Sequence, residues 1–492
     1  MVLGPGIEAD TVVPALAVDS RLIREGALFV ALKGVERHGA AFLPQAIAAG
    51  AAAVLTDLEG ALMGREMLGE WPVPFLIDPE PRARLAQIAA AFSPEQPESL
   101  TAVTGTNGKT SVADFTRQIW GAMGLAAASF GTTGIKGPGI DEPLSHTTPE
   151  PITLHALLSR LSGAGATHAA MEASSHGLAQ YRLDGARLRA AAFTNLSRDH
   201  LDYHATAEEY AAAKLRLFAE VLPGDGTVVA NADDALYPAL SELAFARGLR
   251  LIPFGRGADD TGLRLVAQDT HLAGQHIRIG FGGETHLVEL DLIGGFQALN
   301  ALAAAGLAIG AGAPSAHVFA ALPKLKGVRG RMELVARRAN GAGVFVDYAH
   351  TPDAVATALA ALRPHTPGRV VVVLGAGGDR DPGKRVLMGQ AAAAGADAVI
   401  VTDDNPRTED PALIRQAVME GCPEAEETGD RAEAILRGVD ALLPGDALLV
   451  AGKGHEPGQT IGTTVHPFDD AEQARASVTA LDGEEGVLVR LD

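Results

Sequence analysis

A chain of 492 residues is too long for one hydrophobic core, and about three or four domains are expected. Its apolar share of 47% supports a sizeable interior, while a net charge of −20 excludes the broad basic face that a nucleic-acid partner needs. A single cysteine, Cys422, excludes a disulfide framework or a Cys-based zinc site within the chain and reads as a small buried hydrophobe. No secretory leader and no apolar run of membrane-span length is read, so the expectation is a soluble, cytoplasmic, monomeric enzyme without membrane insertion.

Residues 1–95 form a first unit, with strands at 27–32 and 52–56 around a helix at 41–49. Ser20 lies in a turn before the first strand, and the Pro-rich stretch 92–98 reads as a linker.

Residues 96–330 open on Leu-Thr-Ala-Val-Thr-Gly-Thr-Asn-Gly-Lys-Thr-Ser (100–111). The apolar run 100–103 reads as a strand that breaks at Gly105, and a helix follows over 111–120. Strand, glycine turn and Lys-Thr at a helix start build a nest for phosphates from Gly105, Thr106, Asn107, Gly108, Lys109, Thr110 and Ser111. Lys109 would reach the terminal phosphates of ATP, and the Thr110 hydroxyl would hold Mg²⁺. The strict pattern asks for glycine at 103, where this chain has Val103. Further strands are expected at 126–131, 168–172, 190–195 and 227–231, with helices at 152–162 and 207–221. Antiparallel alternation follows over 263–290, then an Ala-rich helix at 296–309. This is a central P-loop domain with a doubly wound, mostly parallel sheet, whose ligands gather at the strand C-terminal ends.

Residues 331–492 repeat the theme, with strands at 344–347, 369–374, 398–402 and 447–451 and helices at 351–362 and 383–394. Each strand ends in polar or glycine-rich residues. The fold class is thus α/β in three domains: a small N-terminal α/β domain, the central P-loop domain and a Rossmann-like C-terminal domain.

Glu172, at a strand end, suits Mg²⁺ together with Thr110 and substrate phosphates; the alternative is a solvated loop carboxylate. The loop 195–204 holds two His and two Asp, and His200 suits a second Mg²⁺ better than the set suits zinc. Lys214 on the following helix reads equally as a surface lysine.

Thr-Gly-Thr-Asn-Gly-Lys-Thr (104–110), Thr-Thr-Pro-Glu (147–150), Glu-Ala-Ser-Ser-His-Gly-Leu (172–178), Asn-Leu-Ser-Arg-Asp-His-Leu-Asp-Tyr-His (195–204), Gly-Arg-Met-Glu (330–333), Asp-Tyr-Ala-His-Thr-Pro-Asp (347–353), Gly-Gly-Asp-Arg-Asp (377–381), Asp-Asn-Pro-Arg (404–407) and Gly-Lys-Gly-His-Glu (452–456) resemble, in order, the motifs of the Mur ligases. The resemblance implies an ATP-dependent ligase that phosphorylates the D-glutamate carboxylate of UDP-N-acetylmuramoyl-L-alanyl-D-glutamate and adds meso-2,6-diaminopimelate, a step of peptidoglycan synthesis.

It further implies a UDP-binding domain over 1–95, an ATP-binding domain over 96–330 and an amino-acid-binding domain over 331–492. In the family the lysine matching Lys214 is carbamylated, which turns a cation repelled by Mg²⁺ into an oxygen ligand beside His200. Lys109, Lys214, His200, Glu172 and Arg331 are then the catalytic set. Asn300 approaches adenine, with Gln297 standing where the family usually has Asn, and Arg331 and Asp347 close the last domain on ATP. Thr147, Thr148, Ser174, Gln180 and Arg182 hold the dipeptide carboxylates, and Ser20 with the turn 35–37 receives the uridine diphosphate. Arg380, Asp404, Asn405, Pro406, Arg407, Gly452 and Glu456 form the diaminopimelate pocket, in which an arginine fork meets the carboxylate that lysine lacks. Competing readings are a folylpolyglutamate synthase, a nucleotide switch or motor, and a catalytically silent binding paralogue.

Overall fold

The computed structural model describes residues 2–3, 12–34, 37–197, 203–271, 273–483 and 487–488. The first sheet has five strands in the order Val2–Leu3, Phe75–Ile77, Ala53–Thr56, Leu28–Ala31 and Leu16–Ala17, parallel except for the first pair. Phe29, Leu43, Val54 and Phe75 fill one face, while Leu85 of the helix Pro81–Phe92 meets Val30 and Leu55 on the other. The helix expected at 41–49 divides into a 3₁₀ turn, Gly39–Phe42, and an α-helix, Leu43–Ala48. Pro44 stands in its first turn, where no helical N–H is needed.

The second sheet has 11 strands. Within it the strand Ser99–Thr104 lies between His168–Glu172 and Leu188–Phe193 and runs parallel to both. The chain crosses to one side of that strand first and to the other later, so its C-terminal end is the switch point of the sheet, where crevices form. Alternation along it sends Val103 to a core shared with the helices Lys109–Ala122 and Phe296–Gly310. Leu100 and Ala102 face the core of the helix Pro151–Gly163. Val103 pairs with both Glu172 and Ala192, so the strand continues through the position where the strict pattern would place glycine, and the turn starts only at Gly105. The segment expected at 263–290 is a meander of Leu263–His271, Gly274–Phe281 and Glu284–Leu290. The helix expected over 207–221 is α-helical only over Ala207–Arg216; Leu217–Val221 forms a π turn in which Leu222 N–H bonds back to the Leu217 carbonyl.

The third sheet has seven strands, ordered Glu426–Glu427, Ala398–Val401, Val370–Leu374, Ala447–Ala451, Gly343–Asp347, Glu333–Arg337 and Val487–Leu488. Val344 and Val346 face one core and Phe345 the other. Cys422 is buried there, its thiol directed at the Val418 carbonyl. Between the helices Arg431–Asp440 and Asp470–Asp482, Arg431 and Asp470 form a fully buried pair at 2.7 Å. The second and third units are joined by Ile293, which packs into the third unit's core, and by His365. One ring nitrogen of His365 donates to the His271 carbonyl (2.6 Å) and the other accepts from Gly294 N–H (3.1 Å).

Candidate active site

The phosphate loop leaves the strand Ser99–Thr104 at Gly105, which has φ +147°. A Cβ there would lie 1.9 Å from Thr194 Oγ1. Gly108, at φ +87°, precedes the helix Lys109–Ala122 and is covered by Asn300 Oδ1. Both positions demand glycine, and together they turn the first amides of the helix toward the cleft. Asn300 is fixed by Gln297, whose Oε1 accepts from Asn300 Nδ2 at 2.9 Å. Gln297 is itself buried, so its contribution is to orient Asn300.

Two lysines converge on one carbonyl. Lys109 Nζ donates to Gly105 O (2.9 Å) and Thr106 O (2.8 Å), and Lys214 Nζ donates to the same Gly105 O (2.7 Å). Lys214 also lies over the Tyr210 ring, and at 1% exposure it is not a surface lysine. Thr110 is buried, and its hydroxyl oxygen accepts from Arg331 Nη2 at 3.2 Å.

Glu172 is 2% exposed, which removes the solvated-loop alternative. Its carboxylate accepts from Thr132 N–H (2.7 Å) and Thr132 Oγ1 (3.1 Å), and the hydroxyls of Thr132 and Thr147 are 3.0 Å apart. Hard, buried and pre-oriented oxygens at Thr110 and Glu172 fit Mg²⁺. His200, and Val35 and Glu36 of the expected uridine turn, lie outside the described residues. Another donor trio, His271, His276 and Glu289, sits on the antiparallel meander with ligand atoms within 4.8 Å of one another.

Thr148 is turned inward: its hydroxyl donates to Glu172 O (2.9 Å) and accepts from Ser174 N–H (3.0 Å). Ser174 caps the short helix Ser175–Ala179. Gln180 Oε1 accepts from Arg182, whose Nη1 donates to Thr148 O at 2.7 Å. A cleft of about 160 Å³ opens here, lined by Val18, Leu32 and Arg82 of the first unit and Glu150, Gln180 and Arg182 of the second. Burial, and then the Arg82 charge, holds Arg182 below the usual arginine range. Two guanidinium groups sharing a cleft suit an anion. Arg82 carried no motif that sequence reading could catch. Ser20 lies nearby in the fold, its hydroxyl bonded to Gln45.

In the third unit three loops meet at adjacent strand ends. Gly378 N–H bonds to Asn405 O, and a Cβ on Gly378 would lie 1.9 Å from Pro406 O. Arg407, at φ +50°, donates to Gly378 O at 2.7 Å. Asp379 is left-handed too, at φ +52°, and neighbouring Arg380 is exposed. Such backbone in non-glycine residues is held by its surroundings and gathers at functional sites. Asp404 is buried and caps Asn405 N–H, while Gly452 packs against its carboxylate. Asn405 Nδ2 donates to Glu456 Oε2 (3.0 Å), and buried Lys453 Nζ reaches both Glu456 Oε2 (3.2 Å) and Asn405 Oδ1 (3.3 Å). Burial and then Glu456 push the Tyr348 hydroxyl up to about 12. Lys453 was visible only as part of a motif; nothing in sequence says that its side chain turns inward.

Two contacts bridge the units. Arg331, stacked on Tyr348, reaches Thr110, and His455 Nε2 meets the Thr132 carbonyl at 3.0 Å. Asp347 accepts from Met332 N–H at 2.7 Å and so fixes the turn that carries Arg331. Burial raises the Asp347 carboxyl despite nearby Arg331. Burial, and then Arg331, lowers His455 to about 4, so its ring is neutral and donates to Thr132.

Family models match along the chain: a Mur ligase family catalytic domain over residues 13–93, a Mur ligase middle domain over 103–308 and a Mur ligase glutamate ligase domain over 330–454. The chain is 50% identical over 470 residues to the UDP-N-acetylmuramoyl-L-alanyl-D-glutamate–2,6-diaminopimelate ligase of Bradyrhizobium diazoefficiens, covering 95% of each. It is 50% identical over 476 residues to the like-named protein of Chelativorans sp., covering 97% of each. A solved structure of a ligase of that name superposes with a TM-score of 0.70 at 34% identity, covering 96% of this chain and 97% of the other. A folylpolyglutamate synthase of Mycobacterium tuberculosis reaches 0.62 at 17% identity over 82% of this chain and 95% of its own, a likeness of fold alone.

Proposed function

The chain belongs to the Mur ligase family, and from that premise we propose how its residues divide the reaction. It is an ATP-dependent, amide-forming ligase of peptidoglycan precursor synthesis, adding meso-2,6-diaminopimelate to the D-glutamate of UDP-N-acetylmuramoyl-L-alanyl-D-glutamate. The observation that carries the residue assignment is the convergence of phosphate loop and acceptor loops through the Arg331–Thr110 and His455–Thr132 bonds.

The terminal phosphoryl group of ATP passes to the stem glutamate carboxylate, giving an acyl phosphate. The acceptor amine attacks the acyl carbon, sheds a proton, and phosphate leaves from the tetrahedral intermediate. Residues 105–111 cradle the phosphates, and Lys109 exchanges its loop carbonyls for them. Asn300, set by Gln297, faces the adenine side, and Arg331 adds positive charge where phosphoryl transfer occurs. Thr110 and Glu172 would hold one Mg²⁺, and His200 with carbamylated Lys214 would hold a second. When bound, the ions neutralise charge on the transferring group.

The buried setting of Lys214 supports its carbamylation. Lys214 Nζ lies beside Lys109 on the Gly105 carbonyl, and a carbamate there would attract Lys109 and offer an oxygen ligand.

Residues 1–95 take the uridine diphosphate, with Ser20 and the turn 35–37. Arg82 and Arg182 take anionic groups of the substrate at the cleft, beside Thr147, Ser174 and Gln180. Thr148 acts by holding Arg182 and Glu172 in place. Residues 96–330 hold ATP and residues 331–492 the amino acid. Arg380 and Arg407 meet the distal carboxylate of diaminopimelate, Glu456 its ammonium, and Asp404, Pro406 and Gly452 hold the loops that present them. The enzyme works as a monomer in the cytoplasm, where ATP and nucleotide-linked precursors are made, and its product feeds the wall growth that sets cell shape and division.

The test is phosphate release and product formation with ATP, Mg²⁺ and the UDP-linked dipeptide, using meso-diaminopimelate or L-lysine as acceptor. Product with diaminopimelate alone is expected. Product with lysine would discard the assigned pocket.

A further inference from the structure

The Gly-Lys-Gly-His-Glu segment serves the acceptor pocket through Lys453 and Glu456, yet the side chain between them faces elsewhere. His455 crosses to the second unit and donates to the Thr132 carbonyl at 3.0 Å. Thr132 is the residue whose amide and hydroxyl clamp both oxygens of Glu172. One residue therefore receives the acceptor loop on its carbonyl side and the buried carboxylate on the other.

The same knot holds the other end of the phosphate site. Gly330, at φ +66°, packs so tightly that a Cβ would lie 2.3 Å from His455 N, and the next residue, Arg331, reaches Thr110 Oγ1. Thr110 and Glu172 come from different elements of the second unit. Each is thus bonded, one directly and one through Thr132, to a single packed patch of the third unit.

We propose that His455 is a positioning residue for phosphoryl transfer: by holding Thr132 it sets the Glu172 carboxylate for Mg²⁺ when the acceptor loop is seated against the second unit. This rests on the assignment of Glu172 as a metal ligand. A group that orients a ligating carboxylate is worth about 10- to 100-fold in metal affinity or activity. The arrangement ties phosphate activation to a formed acceptor pocket, which limits acyl phosphate made with no amine poised to use it.

The test compares the intact enzyme with His455→Ala, His455→Gln and Gly330→Ala. The first readout is the Mg²⁺ concentration needed to bind a non-hydrolysable ATP analogue. The second is amide hydrogen exchange around Thr132, and the third is kcat and KM for diaminopimelate. His455→Ala is expected to raise the Mg²⁺ requirement and lower kcat, each by about 10-fold or more. Exchange at Thr132 should quicken, with KM for diaminopimelate unchanged. His455→Gln keeps an N–H donor and should recover most of the loss. Gly330→Ala keeps the imidazole but displaces the backbone that carries it, and should move the same readouts in the same direction. Wild-type Mg²⁺ requirement and exchange in His455→Ala would overturn the proposal. So would a rise in KM alone, which would make His455 an acceptor contact. Failure of the wild-type enzyme to form product would instead defeat the ligase reading, while metal requirement and exchange still decide the coupling.

Discussion

Arg407 illustrates how a single side chain is prepared for recognition. Its left-handed backbone and its bond to Gly378 O hold the guanidinium against the neighbouring loop, at the rim of the proposed acceptor pocket. Arg407→Ala is expected to raise KM for diaminopimelate about 100-fold and to leave nucleotide binding intact, as measured by steady-state kinetics and calorimetry. Lys214 makes a second residue-scale test. Enzyme equilibrated with ¹³C-bicarbonate should show a carbamate carbon resonance that is absent from Lys214→Ala. A wild-type spectrum without it, at full activity, would refute the modification. Arg407 was legible in sequence as a member of a motif, whereas Lys214 read as a surface lysine and drew its role only from the family resemblance. Their surroundings were not legible: that Lys214 shares Gly105 O with Lys109 depends on a helix 109 residues away in sequence returning to the loop.

At the scale of elements, periodicity and glycine placement reveal most strands of the two larger sheets, because buried parallel strands are short apolar runs ending in polar turns. The strand Arg250–Gly255 escaped for a physical reason. Pro253 inside it argues against a strand; it sits in register with Ala230 on one side, while the strand on the other side pairs only with Phe254 and Gly255, so that side asks no ladder bond of the missing N–H. Thr132, Lys453 and His455 escaped because sequence does not say which of several adjacent polar side chains turns inward. The same holds for the Arg431–Asp470 pair, whose partners are 39 residues apart on two helices. Replacing Arg431 alone by Met leaves Asp470 charged and buried, and should cost about 3–5 kcal/mol in urea unfolding of the third unit. The double replacement Arg431→Met with Asp470→Leu should recover most of that loss.

Across the whole molecule, the third unit is tied to the second by polar contacts at Thr110 and Thr132, and the His455–Thr132 bond is the one that a change of pH can break. His455 is held neutral by burial, near 4 against an ordinary value of 6.5. An open or unfolded state binds the proton more readily, so the stabilisation is complete above pH 6.5 and declines as the pH falls toward 4, by up to about 3 kcal/mol. Small-angle scattering should show the third unit separating from the second across that range, and His455→Gln should flatten the response.

The buried thiol in the last domain offers a way to time such events. Cys422 is the chain's single cysteine, closed in by Val418 and Gly389, and burial pushes its thiol above the ordinary range. An alkylating reagent can reach it only when that domain transiently opens, so the labelling rate is a stopwatch for local opening, with one mark per molecule and no background.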